Sequence, residues 1–527
     1  MHLAPSTAWA WLIACAVVIL FFPLAAQFGN LKGKLSSFRA WVWAIALLGI
    51  VTAGFIPFAF DPGIANFEVQ PFIFFITGTL LGVLFLGEFH RMNIQKKLKH
   101  PQRVHAERRT RYSKAVEQLA YPNPAVRASA ISTLAGLVDE WLVDEQLSVE
   151  VRQKEGQVVV NALCAYVRSP FARAFKAEAF ESDAPPANYA GDFATDLAAF
   201  RGEQDVRRSV FVEMSKRSST LAENEKGEVA VVPGAWSGFE FDFSRAVVFY
   251  PLDGLTIENA DFSAAKFCNG SDFSGAAFVG DANFTRTVFD QDARFSDVTF
   301  MGTADFGNAR FAGDAVFRWV SFKANADFRE VSFGGHADFR DTAFAADAGF
   351  SGASFEGNAG FFRSSFGGNA SFFRTDFAGV AEFREAVFEG HAGFNAATFY
   401  GDAHFSRATF EGLAGFRDVT FKAGAEFYGA SFIGVADFCD VSFVKSPPVF
   451  AVEDADSGEM RRARFAMLPA GQEAHNFAVY EGSQPIPLGT AGLNGVGYRI
   501  PVGTVLFDPA SWDERQKEYT RLSEPAQ

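Results

Sequence analysis

Cysteine is scarce in this chain of 527 residues: there are four, Cys15, Cys164, Cys268 and Cys439, and no two form a CxxC pair. That excludes a disulfide framework and leaves no cysteine-based metal site. Tyrosine and tryptophan are few as well, 10 and 8, beside 63 phenylalanines. Charged residues make up only 20%, with acids in excess and a net charge of −14. An acidic balance makes nucleic acid an unfavourable partner, because phosphate contacts need cations. No GxSxG, HExxH, GxxxxGK or GxGxxG occurs, so the spacings that serve a nucleophile, a catalytic zinc or a bound phosphate are missing. Glycine, at 47, is far below the third that collagen requires, and 49% hydrophobic content excludes disorder for the bulk of the chain.

What is present begins with three uncharged runs, Ala8 to Ala26, Ala40 to Phe60 and Pro71 to Gly87. Crossing a hydrocarbon core of about 30 Å takes about 20 helical residues, so three transmembrane helices are expected within residues 1–89, the third at the short limit. The first loop carries Lys32, Lys34 and Arg39, the second only Asp61 and Glu68. A basic juxtamembrane segment, 90–111, follows, in which Arg91, Lys96, Lys97, Lys99 and Arg103 flank the membrane. By the rule that positive loops stay inside, the expectation is a multi-pass protein of the cell membrane with its C-terminal region cytoplasmic. The basic cluster either sets topology alone or also touches membrane lipid.

Residues 112–170 read as helical. Val126, Ala130, Ile131, Leu134, Leu137, Val138 and Trp141 recur at three- and four-residue steps, and Pro122-Asn123-Pro124 forces a turn before them. A further helix is expected over Gln157 to Val167. Residues 171–229 read as a linker, with Pro185-Pro186 and a short helix at Glu203 to Lys216.

The dominant signal starts near Ala260. Phenylalanine stands at 262 and every eleventh position up to 438, and at 267 and every eleventh position up to 443. Alanine lies two places before the first series in every unit except at Ser271, and a small or β-branched residue lies two places before the second. Glycine lies two places after the second series in eleven units, from Gly280 to Gly434. Fixed-period repeats stack so that each buries its apolar face on its neighbours. Phe spacings that alternate five and six fit neither a helix nor simple strand alternation. They suit a coil of short sides with one large and one small residue pointing in. Glycine is then expected where the longer side takes its extra residue, with unusual backbone angles. The structural core is expected to include Phe262, Phe267, Phe306, Phe311, Phe350, Phe355, Phe394, Phe399, Phe438 and Phe443. Phe362 and Phe373, one place after a core Phe, are expected outside.

The A-x-F-x-x grammar of units such as ADFREVSFGGH and AEFREAVFEGH resembles the pentapeptide-repeat proteins. The resemblance implies a right-handed four-sided β-helix, a β-solenoid here built of 11-residue (5+6) repeats, two units to a 22-residue coil, because every second pentapeptide has gained a residue. It extends over 230–446, with WSGFEFDFSRAVVFYPLDGLTIENADF as a degenerate first coil. The segment RYSKAVEQLAYPNPAVRASAISTLAGL resembles the helical part of bacterial, chiefly actinobacterial, membrane-anchored members. Pro447-Pro448 is expected to end the last coil, leaving 447–527 as a β-rich cap.

No catalytic, cofactor or metal residues emerge. His336 and His391 are five units apart and read as surface residues, and the many carboxylates face solvent with nothing to perturb them. The expected function is a non-catalytic, membrane-tethered scaffold that binds another protein, takes no cofactor and has no small-molecule substrate. The alternative is mimicry of DNA, as in the gyrase-binding pentapeptide-repeat type. Residues 260–446 hold 24 acids and 15 bases, a net of −9, too dilute a charge to imitate a duplex, which carries one per about 1.7 Å. An enzyme hidden in the tail has about eighty residues to work with.

Overall fold

The computed structural model describes residues 70–223, 229–454, 458–469 and 474–527. They form two units, one up to Thr110 and one from Arg111 to Gln527.

The first unit corrects the membrane reading. Among the described residues no helix is long and apolar enough to cross a membrane. The third run, Pro71 to Gly87, belongs to one helix, Gln70–Gln118, that continues without a break through the basic segment and past both boundaries expected at 89 and 111. Seventeen residues at 1.5 Å each span about 25 Å, short of a hydrocarbon core of about 30 Å. The first two runs lie outside the described residues. The fold class with transmembrane helices and the multi-pass placement with a cytoplasmic C-terminal region are set aside on this finding.

The second unit opens with helices that cap a solenoid. Helix Pro124–Leu142 starts where expected: the Asn123 side chain accepts the Ala125 N–H at 2.9 Å, and Pro124 takes the first helical position, where a missing N–H costs nothing. Its buried face is Ala130, Ile131, Leu134, Ala135, Leu137, Val138 and Trp141. Helix Val149–Arg168 packs beside it. Residues 171–229 are more ordered than a linker. They contain a 3-10 helix, Ala172–Phe180, and a helix that begins at Phe193 and runs to Ser215, both with buried faces. These helices cover the first coil, where Phe211 lies 4.6 Å from Phe243 and Arg168 pairs with Asp242.

From Phe241 the chain winds as a four-sided parallel solenoid. Each side is a two-residue strand paired with the strand 22 residues on, as Ala282 with Ala304 and Phe289 with Phe311. In chain order the four faces, called I to IV, begin at Phe241–Asp242, Val247–Val248, Ser271–Asp272 and Thr256–Ile257, and contain ten, ten, eight and eleven strands. The two Phe series fill the interior. Rings in successive coils stack in parallel, as Phe350 on Phe328 and Phe372, both at 4.9 Å, and first-series rings from faces I and III meet edge to face, as Phe350 and Phe361 at 5.4 Å and 87°. Both arrangements satisfy the ring quadrupole. All ten Phe residues expected in the core are buried.

Two local expectations fail. None of the eleven repeat glycines has a positive φ. The left-handed residue lies two places after the first Phe series instead, as the third residue of a tight turn such as Phe328–Val331, and it is glycine only at 275, 352 and 429. The glycines are needed for space: a Cβ at Gly357 would stand 2.4 Å from the Gly335 carbonyl oxygen of the coil beside it, and one at Gly401 2.3 Å from that of Gly379. Nor do Pro447 and Pro448 end the stack. Val449 still bridges to Glu426, and Phe450, Phe465 and Phe477 stack on Phe427, Phe432 and Phe438. The hairpins Ala451–Glu453 with Met460–Arg462 and Leu488–Leu493 with Val496–Pro501 are insertions in this irregular last coil.

Candidate interaction surface

With the solenoid interior filled by Phe rings, whatever this unit does it does outside. Two clefts lie at the helical cap. One, of 740 Å³, runs between the helices and the first coils, lined by Glu181, Arg201, Asp272, Asp290, Asp292 and Arg294 among others. The second, of 600 Å³, is lined by Arg127, Tyr166, Arg173, Glu203 and Arg207. Its charges serve the fold. Arg207, 1% exposed, donates to Glu203 at 2.7 Å and to the Val167 and Ser169 carbonyls, and Arg127 donates to Glu203 at 2.8 Å and to the Tyr121 and Pro122 carbonyls. Burial pushes the Tyr166 hydroxyl up to about 12, with the Glu203 carboxylate adding to it. Most donors of Arg127 and Arg207 are matched within the fold, which ties these charges to the packing of the helices.

The solenoid surface has two kinds of polar column. In the first, a side chain accepts the backbone N–H of the equivalent residue one coil on: Asp314 from His336 at 2.8 Å, His336 through Nδ1 from Asn358 at 2.9 Å, Asn358 from Val380 at 3.0 Å. His391 accepts from Leu413 in the same way, at 3.0 Å. The two histidines are exposed, but they are members of these ladders. The second kind lines the corner between faces III and IV. There Arg318 and Arg340 share Asp338, Arg363 pairs with Asp341 and Arg407 with Glu385. Burial alone would raise the Asp338 carboxyl, but hydrogen bonds from Arg340 and Arg318 outweigh it and hold it below its ordinary value.

Apolar side chains interrupt this surface. Trp319 is 56% exposed on the same corner, Tyr400 is 48% exposed on face II with Lys422 over its ring, and Phe373 is 43% exposed with the Arg374 guanidinium 4.9 Å from its centroid. Phe362, expected outside, is only half-buried, with Arg363 stacked on it. Composition and periodicity identify which positions face out, but Trp319 and Tyr400 carry no signal that separates them from core aromatics except their place in the eleven-residue frame. Of the basic residues expected beside a membrane, all five lie on the helix Gln70–Gln118, with Arg91 half-buried and Arg103 exposed. Among the described residues no group of His, Cys, Asp or Glu is placed to hold a metal ion. Burial pushes the Cys164 thiol up to about 12, and the same cause raises Cys268 to about 11, so neither is a ready nucleophile.

A family model described as pentapeptide repeats (9 copies) matches residues 278–318, 295–343 and 372–420. The solenoid is built of pentapeptide repeats. The matched stretches fall wholly within its regular coils, where the eleven-residue unit is two pentapeptides plus one residue at the glycine bend. No curated protein and no solved structure matches the chain. The pentapeptide-repeat frame supports a non-catalytic repeat protein.

Proposed function

We propose that this chain is a scaffold whose pentapeptide-repeat solenoid docks another protein along its side and catalyses no reaction. The observation that carries the reading is the contrast between a repeated interior and a changing exterior at one backbone geometry. On the corner between faces III and IV, successive coils present Asp297, Trp319, Asp341, Arg363, Glu385 and Arg407, all with φ between 55° and 60°. The frame is repeated and the side chains are free to encode a partner. Trp and Arg are the residues that most often carry binding energy at protein interfaces, and a solenoid presents them with little ordering cost. Mimicry of DNA is less favoured, because many of the acids are neutralised by arginines on the same surface.

A photo-crosslinking residue placed at Trp319 in the cell of origin tests this. One discrete protein adduct is expected, and it is lost when Arg340 and Arg363 are changed to Glu. No adduct from Trp319, Phe373, Tyr400 or any outward position of the four faces would end the proposal. So would turnover of a small substrate by the purified chain that a single polar substitution abolishes.

A further inference from the structure

Every solenoid must finish its last coil, and this one does so with a histidine. In the regular coils the residue opening each face I strand donates its N–H to a carbonyl one coil further, as Ala414 to Val435 at 2.8 Å. Ala436 opens the last strand of that face, and no regular coil follows it. Its N–H donates to Nδ1 of His475, at 3.1 Å. The other ring nitrogen, Nε2, lies 3.0 Å from the Ala466 carbonyl oxygen, which can only accept. The imidazole is thereby neutral, with its proton on Nε2. It ties the end of face I to the strand Arg464–Ala466 that extends face IV. The ring sits edge-on to Phe465 at 5.3 Å and 6.4 Å from Phe477. The segment that follows depends on the same join: Asn476 donates to Ala436 at 2.9 Å, Phe438 to Asn476 at 2.7 Å and Tyr480 to Val441 at 2.9 Å.

We propose that His475 is an acid-sensitive latch whose protonation releases residues 474–484 from the last coil and opens the C-terminal cap. A second proton would go on Nδ1, where the Ala436 N–H already points. Two donors would then face each other, and a positive charge would lie among Phe rings with no added acceptor. Charged groups on the adjoining strands do not compensate. On face I, Asp437 is held by Arg417 at 3.2 Å, and on the added strand Arg464 is a cation. Burial favours the neutral ring and lowers its pKa from the ordinary value, with the Ala466 contact a smaller opposing effect.

The sign follows from linkage. A released His475 takes up a proton near pH 6.5, and the latched one only at lower pH. The latch is at full strength above about pH 6.5 and weakens as pH falls. Once open, the last strands of faces I and II present unpaired N–H and C=O groups, which other chains can pair with. Acid would therefore expose a β edge for association, whatever partner the side of the solenoid binds.

Hydrogen–deuterium exchange of the full chain at about pH 7.5 and about pH 5.5, corrected for intrinsic rates, reads this directly. Peptides spanning 436–443 and 474–484 should lose protection severalfold in acid, up to the roughly tenfold that linkage to a released pKa near 6.5 allows over this interval, while those spanning 350–377 keep theirs. The ladder histidines His336 and His391 make the mid-solenoid the internal control. His475→Asn should remove the step, since an Asn Oδ1 can accept a backbone N–H as Asn358 does and does not titrate. Should that variant be open at both pH values, exchange of the His475 Cε1 hydrogen in the wild type decides: its midpoint must coincide with cap opening. A wild type without the step, an equal step in a closed Asn variant, equal loss in the mid-solenoid, or a non-coincident midpoint each overturns the latch.

Discussion

Phe350 stacks on Phe328 and Phe372 and meets Phe339 and Phe361 edge-on, so its removal opens a void that rigid neighbours cannot fill. Phe350→Ala should cost about 3 to 5 kcal/mol in a denaturant titration. Phe373→Ser, at a position 43% exposed, should stay within about 0.5 kcal/mol of wild type apart from the loss of its arginine contact. Equal shifts for the two would refute the inward register. Backbone conformation gives a second test at this scale. Glu330 is left-handed at φ 57°, a conformation that costs an L-residue roughly 1 to 2 kcal/mol. Glu330→Gly should leave the unfolding midpoint unchanged or raise it slightly, because relief of strain is offset by glycine's greater unfolded freedom. Glu330→Val should lower it, since a branched Cβ fits that region worst.

At the scale of the element, the glycine columns set how closely coils approach. Gly357 faces the Gly335 carbonyl on one side and is itself faced by Gly379 on the other. Alanine stands at the equivalent position at 324, 346 and 423, so one extra carbon can be absorbed by a local shift. Gly357→Val adds a branched side chain where the backbone must move further, and should cost about 1 to 3 kcal/mol by thermal unfolding. In the helical cap the decisive element contact is polar. Arg207→Met leaves Glu203 buried with only Arg127 and Tyr166, and should destabilise by about 3 to 5 kcal/mol. Glu203→Gln should cost at least as much as Arg207→Met, because it takes the carboxylate from two cations, Arg207 and Arg127, where Arg207→Met leaves the Arg127–Glu203 pair in place. A smaller loss for Glu203→Gln would show that Arg207 acts by packing.

For the whole molecule, the question is what folds as one piece. Helices and solenoid from Arg111 to Gln527 share a single hydrophobic core that runs from Ala115 through the Phe columns to Ala526. A fragment of residues 111–527 should therefore unfold in one cooperative transition. A fragment starting at residue 230 loses the helices that cover Phe243, Phe249, Tyr250 and Phe262. It should melt earlier and bind a hydrophobic dye, and a dye-silent fragment with an unchanged melting temperature would show that the helices are a separate domain.

The eleven-residue period determined, without any coordinates, that the chain coils in regular units and which Phe residues point inward, because a repeated environment leaves a repeated residue, while the 22-residue coil was implied by the resemblance to pentapeptide repeats. The sequence also placed a turn at Pro122-Asn123-Pro124, because the limits proline puts on the backbone are local. Contacts between coils leave no such mark. Glycine looks the same in a sequence whether it is kept for a left-handed φ or for a carbonyl 2.4 Å from where its Cβ would be, and only stacking showed the second reason. His336 reads as a surface residue until the N–H of Asn358 is seen above it. Phe450, Phe465 and Phe477 continue the core at irregular spacing, the first two separated by the hairpin Ala451–Glu453 with Met460–Arg462, so periodicity hid them. The third apolar run looked like a membrane span by composition, and the structure decided otherwise by continuing it into one long charged helix. Length and neighbours, which a local window does not contain, settle such cases.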